Sequence, residues 1–215
     1  MMTKFTFSFF LSFVSIQTQA QDLILTKLTA KDRKDGVQST YTYVSPPHGE
    51  GQLLLYKNGT FYYSHSVAMQ SEDMFSQGNW FKKGDTLILD NAIKNGHVPI
   101  QLSYSMDSTH LLDSFRIGVV KNLKGDEMPD GLVAINRDSN ICLPSYGGMC
   151  REQYKTIDSI KVVFENGLSS GWLKIEDRPF ALVTPVVQTS FPITFYMVFD
   201  QQKYLIGKRS LKPLD

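Results

Sequence analysis

Apolar and polar positions alternate along this chain in short bursts, separated by residues that favour turns. The clearest burst is QLLLYKNGTFYYS, residues 52–64, where Asn58-Gly59 accepts the positive φ of a type I′ turn between two aromatic-rich strands. A two-residue loop predicts Tyr56 opposite Phe61 and Leu54 opposite Tyr63 on one apolar face, with Leu55 opposite Tyr62 on the other. SQGNWFKKGDTLILD, residues 76–90, repeats the pattern around Lys83-Gly84-Asp85. Two hairpins in succession predict an antiparallel meander. Further extended stretches are expected at 100–105 and 111–120. No window of eleven or more residues keeps helical spacing; the nearest approaches are 23–34 and a short turn at 152–154.

From about residue 111 the character shifts, and a second series of strands is expected at 114–120, 131–136, 159–165, 171–175, 180–188, 193–199 and 204–211. Short strands with turn residues between them suit a sandwich. The pattern therefore predicts an all-β fold, an antiparallel meander (residues 21–112) followed by a β-sandwich-like module (residues 113–215). Trp172 and the alternating Phe195, Met197 and Phe199 are read as core, with ligand stacking as the alternative role for Trp172.

Residues 1–20 change the picture of where this fold works. One positive charge at Lys4 precedes an apolar run over 5–16 and the polar exit QTQA, the layout of a signal peptide, with Thr18 and Ala20 as the small residues before cleavage. Cleavage after Ala20 leaves Gln21 as the first residue of a secreted or periplasmic protein, and no later segment is long and apolar enough to cross a bilayer as a helix. The only two cysteines, Cys142 and Cys150 in ICLPSYGGMC, are expected to pair in an oxidising compartment. Their spacing fits neither a thioredoxin-like couple nor a zinc site. The bridge would pin a surface loop, or present Tyr146 on a rigid tip with Gly147 and Gly148 beside it.

Charge and chemistry narrow the function classes. Without Lys4, 21 basic residues face 21 acidic ones, so a nucleic-acid partner is not expected. His48, His65, His97 and His110 are scattered, with no His-x-x-x-His pair and no Gly-x-Ser-x-Gly elbow, so no catalytic residue, metal ligand or cofactor is assigned. His65 shares parity with Phe61 and Tyr63 and reads as a hydrogen-bonded, partly buried histidine. Asp126, Glu127 and Asp130 crowd one turn, but their spacing departs from a calcium-binding EF-hand loop and suits a solvated hairpin tip.

Two resemblances sharpen the expectation. NGTFYY followed by GNWFKKGDTLIL resembles the hairpin pattern of small lipocalin-like secreted β-proteins of Bacteroidetes, although the Gly-x-Trp that opens such barrels is missing from residues 21–43. FRIGVVKNLKGDEMPDGLVAIN is similar to the opening of carboxypeptidase-regulatory-like or transthyretin-like sandwich modules, with Met128-Pro129-Asp130 in place of the usual small residues. Both imply scaffolds or binding domains.

Three functions follow: an exported non-catalytic protein that binds or supports an envelope protein or glycan through Tyr146 and Trp172, a carrier of a small hydrophobic ligand, or an outer-membrane barrel. The ending Leu211-Lys212-Pro213-Leu214-Asp215, without a terminal aromatic, counts against the last. Protein recovered from the exporting cell should begin at Gln21 and take up an alkylating agent at its cysteines only after reduction. A retained Met1 or immediate labelling, read by intact mass, would contradict the expected export.

Overall fold

The computed structural model describes residues 22–45, 49–66, 73–106, 117–138, 141–143, 156–177, 182–199 and 202–214. The expected signal peptide with its Ala20 cleavage point, His48, His110, Tyr146 and Cys150 lie outside the described residues.

The chain is all-β, as its alternation predicts. Its first strands are β1 (Leu23–Thr26), β2 (Val37–Ser45), β3 (Gly49–Tyr56), β4 (Thr60–Ser66), β5 (Met74–Lys83) and β6 (Thr86–Asn91), with helix α1 (Ala30–Lys34) between β1 and β2. Then come β7 (Ile100–Ser105), β8 (Gly131–Ile135), β9 (Ile141–Cys142), β10 (Ser159–Phe164), β11 (Leu173–Lys174) and β12 (Leu182–Val187). The last two are β13 (Lys203–Ile206) and β14 (Ser210–Leu214).

The meander does not stop at β6. In an eight-stranded closed barrel of order β1-β14-β13-β6-β5-β4-β3-β2, every neighbour is antiparallel, so β13 and β14 complete a sheet begun by residues more than a hundred positions earlier. The material between β6 and β13 is an insert built on a four-stranded sheet, β11-β10-β8-β9, and a two-stranded ribbon, β12-β7. The boundary expected at 112/113 therefore does not separate the sheets: β7 pairs with β12 of the insert, and residues 203–214 return to the barrel. Alternation tells which face of a strand is apolar but not which strand lies beside it, and closure is favoured because it removes both exposed sheet edges.

Strand by strand, the inward positions are the apolar ones. Leu53, Leu55, Phe61, Leu87, Leu89, Leu211 and Leu23 form one cluster, each no more than 4% exposed. A barrel of eight strands is just wide enough for side chains to fill, and these leucines and Phe61 fill its body. Of residues 23–34, the nearest approach to helical spacing, 23–26 are instead β1, with Leu23 paired to Leu211, and Ala30–Lys34 is helical. Its start is fixed by a capping box, in which the Thr29 amide donates to Asp32 Oδ2 at 2.7 Å and the Asp32 amide donates to Thr29 Oγ1 at 3.1 Å.

The Asn58-Gly59 hairpin forms with its register one residue away from the two-residue expectation. Leu55 faces Phe61, Leu54 faces Tyr62 and Leu53 faces Tyr63. Only Gly59 has positive φ, +83°, and its amide donates to Tyr56 O at 3.1 Å. This is a three-residue loop, a type I turn followed by a left-handed glycine. Asn58 Oδ1 accepts from the Thr60 amide at 3.0 Å, which holds Asn58 out of the left-handed conformation a type I′ turn would need. The slip turns Leu55 inward and leaves Tyr62 outside. The Gly84-Asp85 turn does have two residues, with Lys83 opposite Thr86.

Tyr62 on the outer wall is what the insert docks against. Phe75 stacks on Tyr62 at 5.9 Å and meets Phe191 and Tyr196 edge-on at 6.0 and 5.4 Å. The Phe75 amide donates to Phe195 O at 2.9 Å, the Met197 amide donates to Phe75 O at 2.7 Å, and the Tyr196 hydroxyl donates to Gln77 O at 2.8 Å. Behind this seam lies a second core, with Val133, Ile135, Ile160 and Val162 from one sheet and Val183 and Val187 from the ribbon. Residues 193–199, expected as a strand, bridge the two cores without a regular ladder: Phe195 packs on the insert's core, Met197 and Phe199 on the barrel's.

Replacing Phe75 with Ala should cost about 3 to 5 kcal/mol, because a large buried ring is lost at the junction of two cores. Phe81→Ala on the exposed outer wall should change stability by no more than about 0.5 kcal/mol. Urea unfolding of the two variants beside the parent checks the contrast.

Candidate functional site at the insert-bearing end of the barrel

The up-and-down order gives the barrel two unlike ends. At one, strands are joined by α1 and by the tight turns at 57–59, 84–85 and 207–209. At the other, β2 is joined to β3, β4 to β5, and the insert joins β6 to β13. Polar side chains enter the interior near this second end.

Tyr43, Gly51 and His65 occupy one cross-strand row on β2, β3 and β4. The Tyr43 ring lies where it does because Gly51 has no side chain: a Cβ there would lie 2.1 Å from Tyr43 Cε1. The bare glycine lets the Tyr43 ring lie flat across β3, nearly parallel to the His65 imidazole at 6.0 Å between centroids. The Tyr43 hydroxyl meets His65 Nδ1 at 2.6 Å, and the Tyr63 hydroxyl donates to the Tyr43 oxygen at 3.2 Å. With Tyr63 as donor, Tyr43 is free to donate onward to His65 Nδ1, which places the proton of a neutral imidazole on Nε2. A string of hydroxyl, hydroxyl and imidazole thus runs along an otherwise apolar wall.

Burial pushes the Tyr63 phenol well above its ordinary range, and its donated hydrogen bond to Tyr43 adds to the shift, since the neutral form is the one that donates. Burial raises Tyr204 in the same direction. Phe199 meets Tyr63 edge-on at 4.9 Å. It is held there by Asn91, whose Nδ2 donates to Phe199 O and whose Oδ1 accepts from Ser76 Oγ at 3.1 Å. Beyond Phe199 opens a recess lined by Asp90, Asn91, Ile93, Lys94 and Val198, with Lys94 ion-paired to Asp90 at its rim. Phe199 is therefore the aromatic wall shared by the recess and the tyrosine string.

The positions singled out in the sequence fall elsewhere. Trp172, read as core, is 38% exposed beside β11, the edge strand of the insert's sheet. Its pattern misleads because only the neighbours Leu173 and Ile175 turn toward the interior. Cys142 is buried on β9 opposite Val133 and is disulfide-bonded rather than a free thiol. Among the carboxylates of the 124–131 turn, Asp126 Oδ2 accepts from Asn122 Nδ2 at 2.9 Å and Asp130 Oδ2 accepts from Thr194 at 2.7 Å, so the two serve separate local contacts. Among the described residues no group of three His, Cys, Asp or Glu side chains is placed to hold a metal ion. His65 stands as expected, half-buried and hydrogen-bonded. Tyr43 escaped the sequence reading because it lies 22 residues from His65. The glycine between them in the ladder was the available signal.

Compared with protein-family models, curated proteins and solved structures, the chain matches none.

Two outcomes follow. Tyr63 and Tyr204 should ionise only well above pH 10, the ordinary value for a solvated phenol, giving a delayed portion of the absorbance rise at 295 nm. In the unfolded chain both ionise near pH 10, so above that pH the folded state holds more protons; the stability they contribute is intact below about pH 10 and is lost as the pH climbs past it. Gly51→Ala should swing the Tyr43 ring away and break its bond to His65, seen as a displaced His65 imidazole resonance in the folded protein; an unmoved resonance would show that the row does not need glycine.

Proposed function

We propose that this is an exported, non-catalytic binding protein that takes a small amphipathic molecule at the insert-bearing end of its barrel. The supporting observation is the Tyr63–Tyr43–His65 string beside Phe199. Polar groups inside a barrel cost free energy unless they are bonded, and Phe or Leu at these positions would serve packing alone as well. Such a string offers hydrogen bonds to a polar head, while Phe199 and Met197 offer apolar surface to its body. Small-ligand sites have this make-up, apolar walls with a few convergent polar groups. Export agrees with the oxidised state of Cys142, since cytosolic thiols are kept reduced, and Cys150 is its partner in this reading as the only other cysteine.

Dodecanoate, dodecylamine and dodecanol share one tail and differ in head group, and serve as probes. At least one should raise the melting temperature saturably, and a Tyr43→Phe/His65→Leu variant should bind it about tenfold or more weakly, the loss of a hydrogen bond to the head group. No saturable rise with any of the three would contradict the proposal.

A second contact, to an envelope protein or glycan, is favoured by the exposed indole of Trp172 at a sheet edge. Trp172→Ala should then abolish retention of the protein on an immobilised envelope extract without moving its melting temperature; unchanged retention removes this reading.

A further inference from the structure

The near balance of charge over the whole chain conceals an uneven distribution that only the fold reveals. All four corners of the tight-turn end of the barrel, connections taken with the strand ends beside them, carry more bases than acids. The β1–β2 connection carries Lys27, Lys31, Arg33 and Lys34 against Asp32 and Asp35. At the β5–β6 turn, Lys82 and Lys83 of the end of β5 stand against Asp85, and the other two connections carry Lys57, and Lys208 with Arg209, against no acid. Nine cations thus face three carboxylates on one end of the molecule, and every one of the nine is exposed. Asp32 is further engaged by the Thr29 cap. A chain with 22 bases against 21 acids is in this way strongly polarised, and such a pole attracts anionic partners whatever the net charge.

Apolar side chains break the same surface. On the outer wall Phe81 pairs with Ile88, Ile88 with Lys203, and Lys203 with Leu214. One row nearer the turns, Leu205 lies between Thr86 and Lys212, and Thr86 faces Lys83. Phe81, Leu205 and Leu214 are 48%, 43% and 42% exposed. The patch therefore mixes lysines with aromatic and aliphatic side chains, and no carboxylate stands among them on these rows.

We propose that this end of the barrel docks on an anionic lipid surface, with the basic turns facing the head groups and Phe81 and Leu205 entering the interfacial layer. The mixture selects a bilayer over a soluble polyanion, because a polyanion uses the cations and gains nothing from exposed Phe and Leu, whereas an anionic bilayer uses both. Each Lys or Arg near such a surface raises affinity roughly fivefold. The docking leaves the insert and the Tyr43–His65 end pointing away from the bilayer, so it is independent of the ligand reading.

The test is co-sedimentation with phosphatidylcholine vesicles with and without phosphatidylglycerol, at low and high salt, using proteins that all carry the same N-terminus. Binding should require phosphatidylglycerol and weaken with salt. Lys83→Glu/Lys208→Glu/Arg209→Glu should lose at least about tenfold in affinity, and Phe81→Ser/Leu205→Ser should lose the part that persists at high salt. Lys124→Glu/Lys161→Glu/Lys174→Glu, the same charge change made on the insert, should bind like the parent. Circular dichroism confirms folding, and Lys83→Gln/Lys208→Gln/Arg209→Gln replaces the reversal variant should that one unfold. Equal binding to both vesicle types, an equal loss in the insert variant, or binding to dextran sulfate without binding to vesicles would each overturn the proposal.

Discussion

The structure depends on one act of closure, the pairing of β1 with β14. Without it the sheet ends at β1 on one side and at β14 on the other, two open edges over an apolar face. With it, Leu23 and Leu211 come opposite each other at almost no exposure and the ring of inward leucines is complete. Closure is expensive in chain entropy because more than a hundred residues separate β6 from β13, but that cost rises only logarithmically with loop length. The insert lowers it further by folding on its own sheet and by fixing its exit segment to β5 through Phe75, Tyr196 and Met197.

Closure also makes the two ends of the barrel different, and both functional readings come from that difference. The exit segment that must reach β13 passes over the insert-bearing end, where Asn91 holds Phe199 against Tyr63. The opposite end has α1 and three tight turns, of which 57–59 and 207–209 are made from Lys, Arg, Gly and Asn, while Gly84-Asp85 follows directly on Lys82 and Lys83. One end is therefore aromatic and hydroxyl-bearing inside, and the other is cationic outside.

The fold class, most strand positions and the half-buried state of His65 were legible in the alternation of the chain. β7 falls where it was expected, at 100–105. The register of the first hairpin was not legible, because Asn-Gly serves both a two-residue type I′ loop and the left-handed end of a three-residue loop, and the choice rests on Asn58 bonding Thr60. The membership of β13 and β14 was not legible because a strand's period says nothing of its partner. The Tyr43–His65 pair needed the ladder through Gly51, and the basic pole needed the knowledge that four turns share one end. Trp172 shows the opposite failure, in which a large aromatic beside a glycine read as core and stands exposed.

Amide hydrogen exchange of the folded protein, read residue by residue, tests closure most directly. The amides of β13 and β14, and that of Leu25, which donates to Arg209 O at 2.9 Å, should be protected to the same degree as those of β3 and β4, because all belong to one cooperative ring. Exchange of residues 203–214 at the rate of a free tail, with β3 and β4 still protected, would show that the barrel stands open and that the last two strands do not complete it.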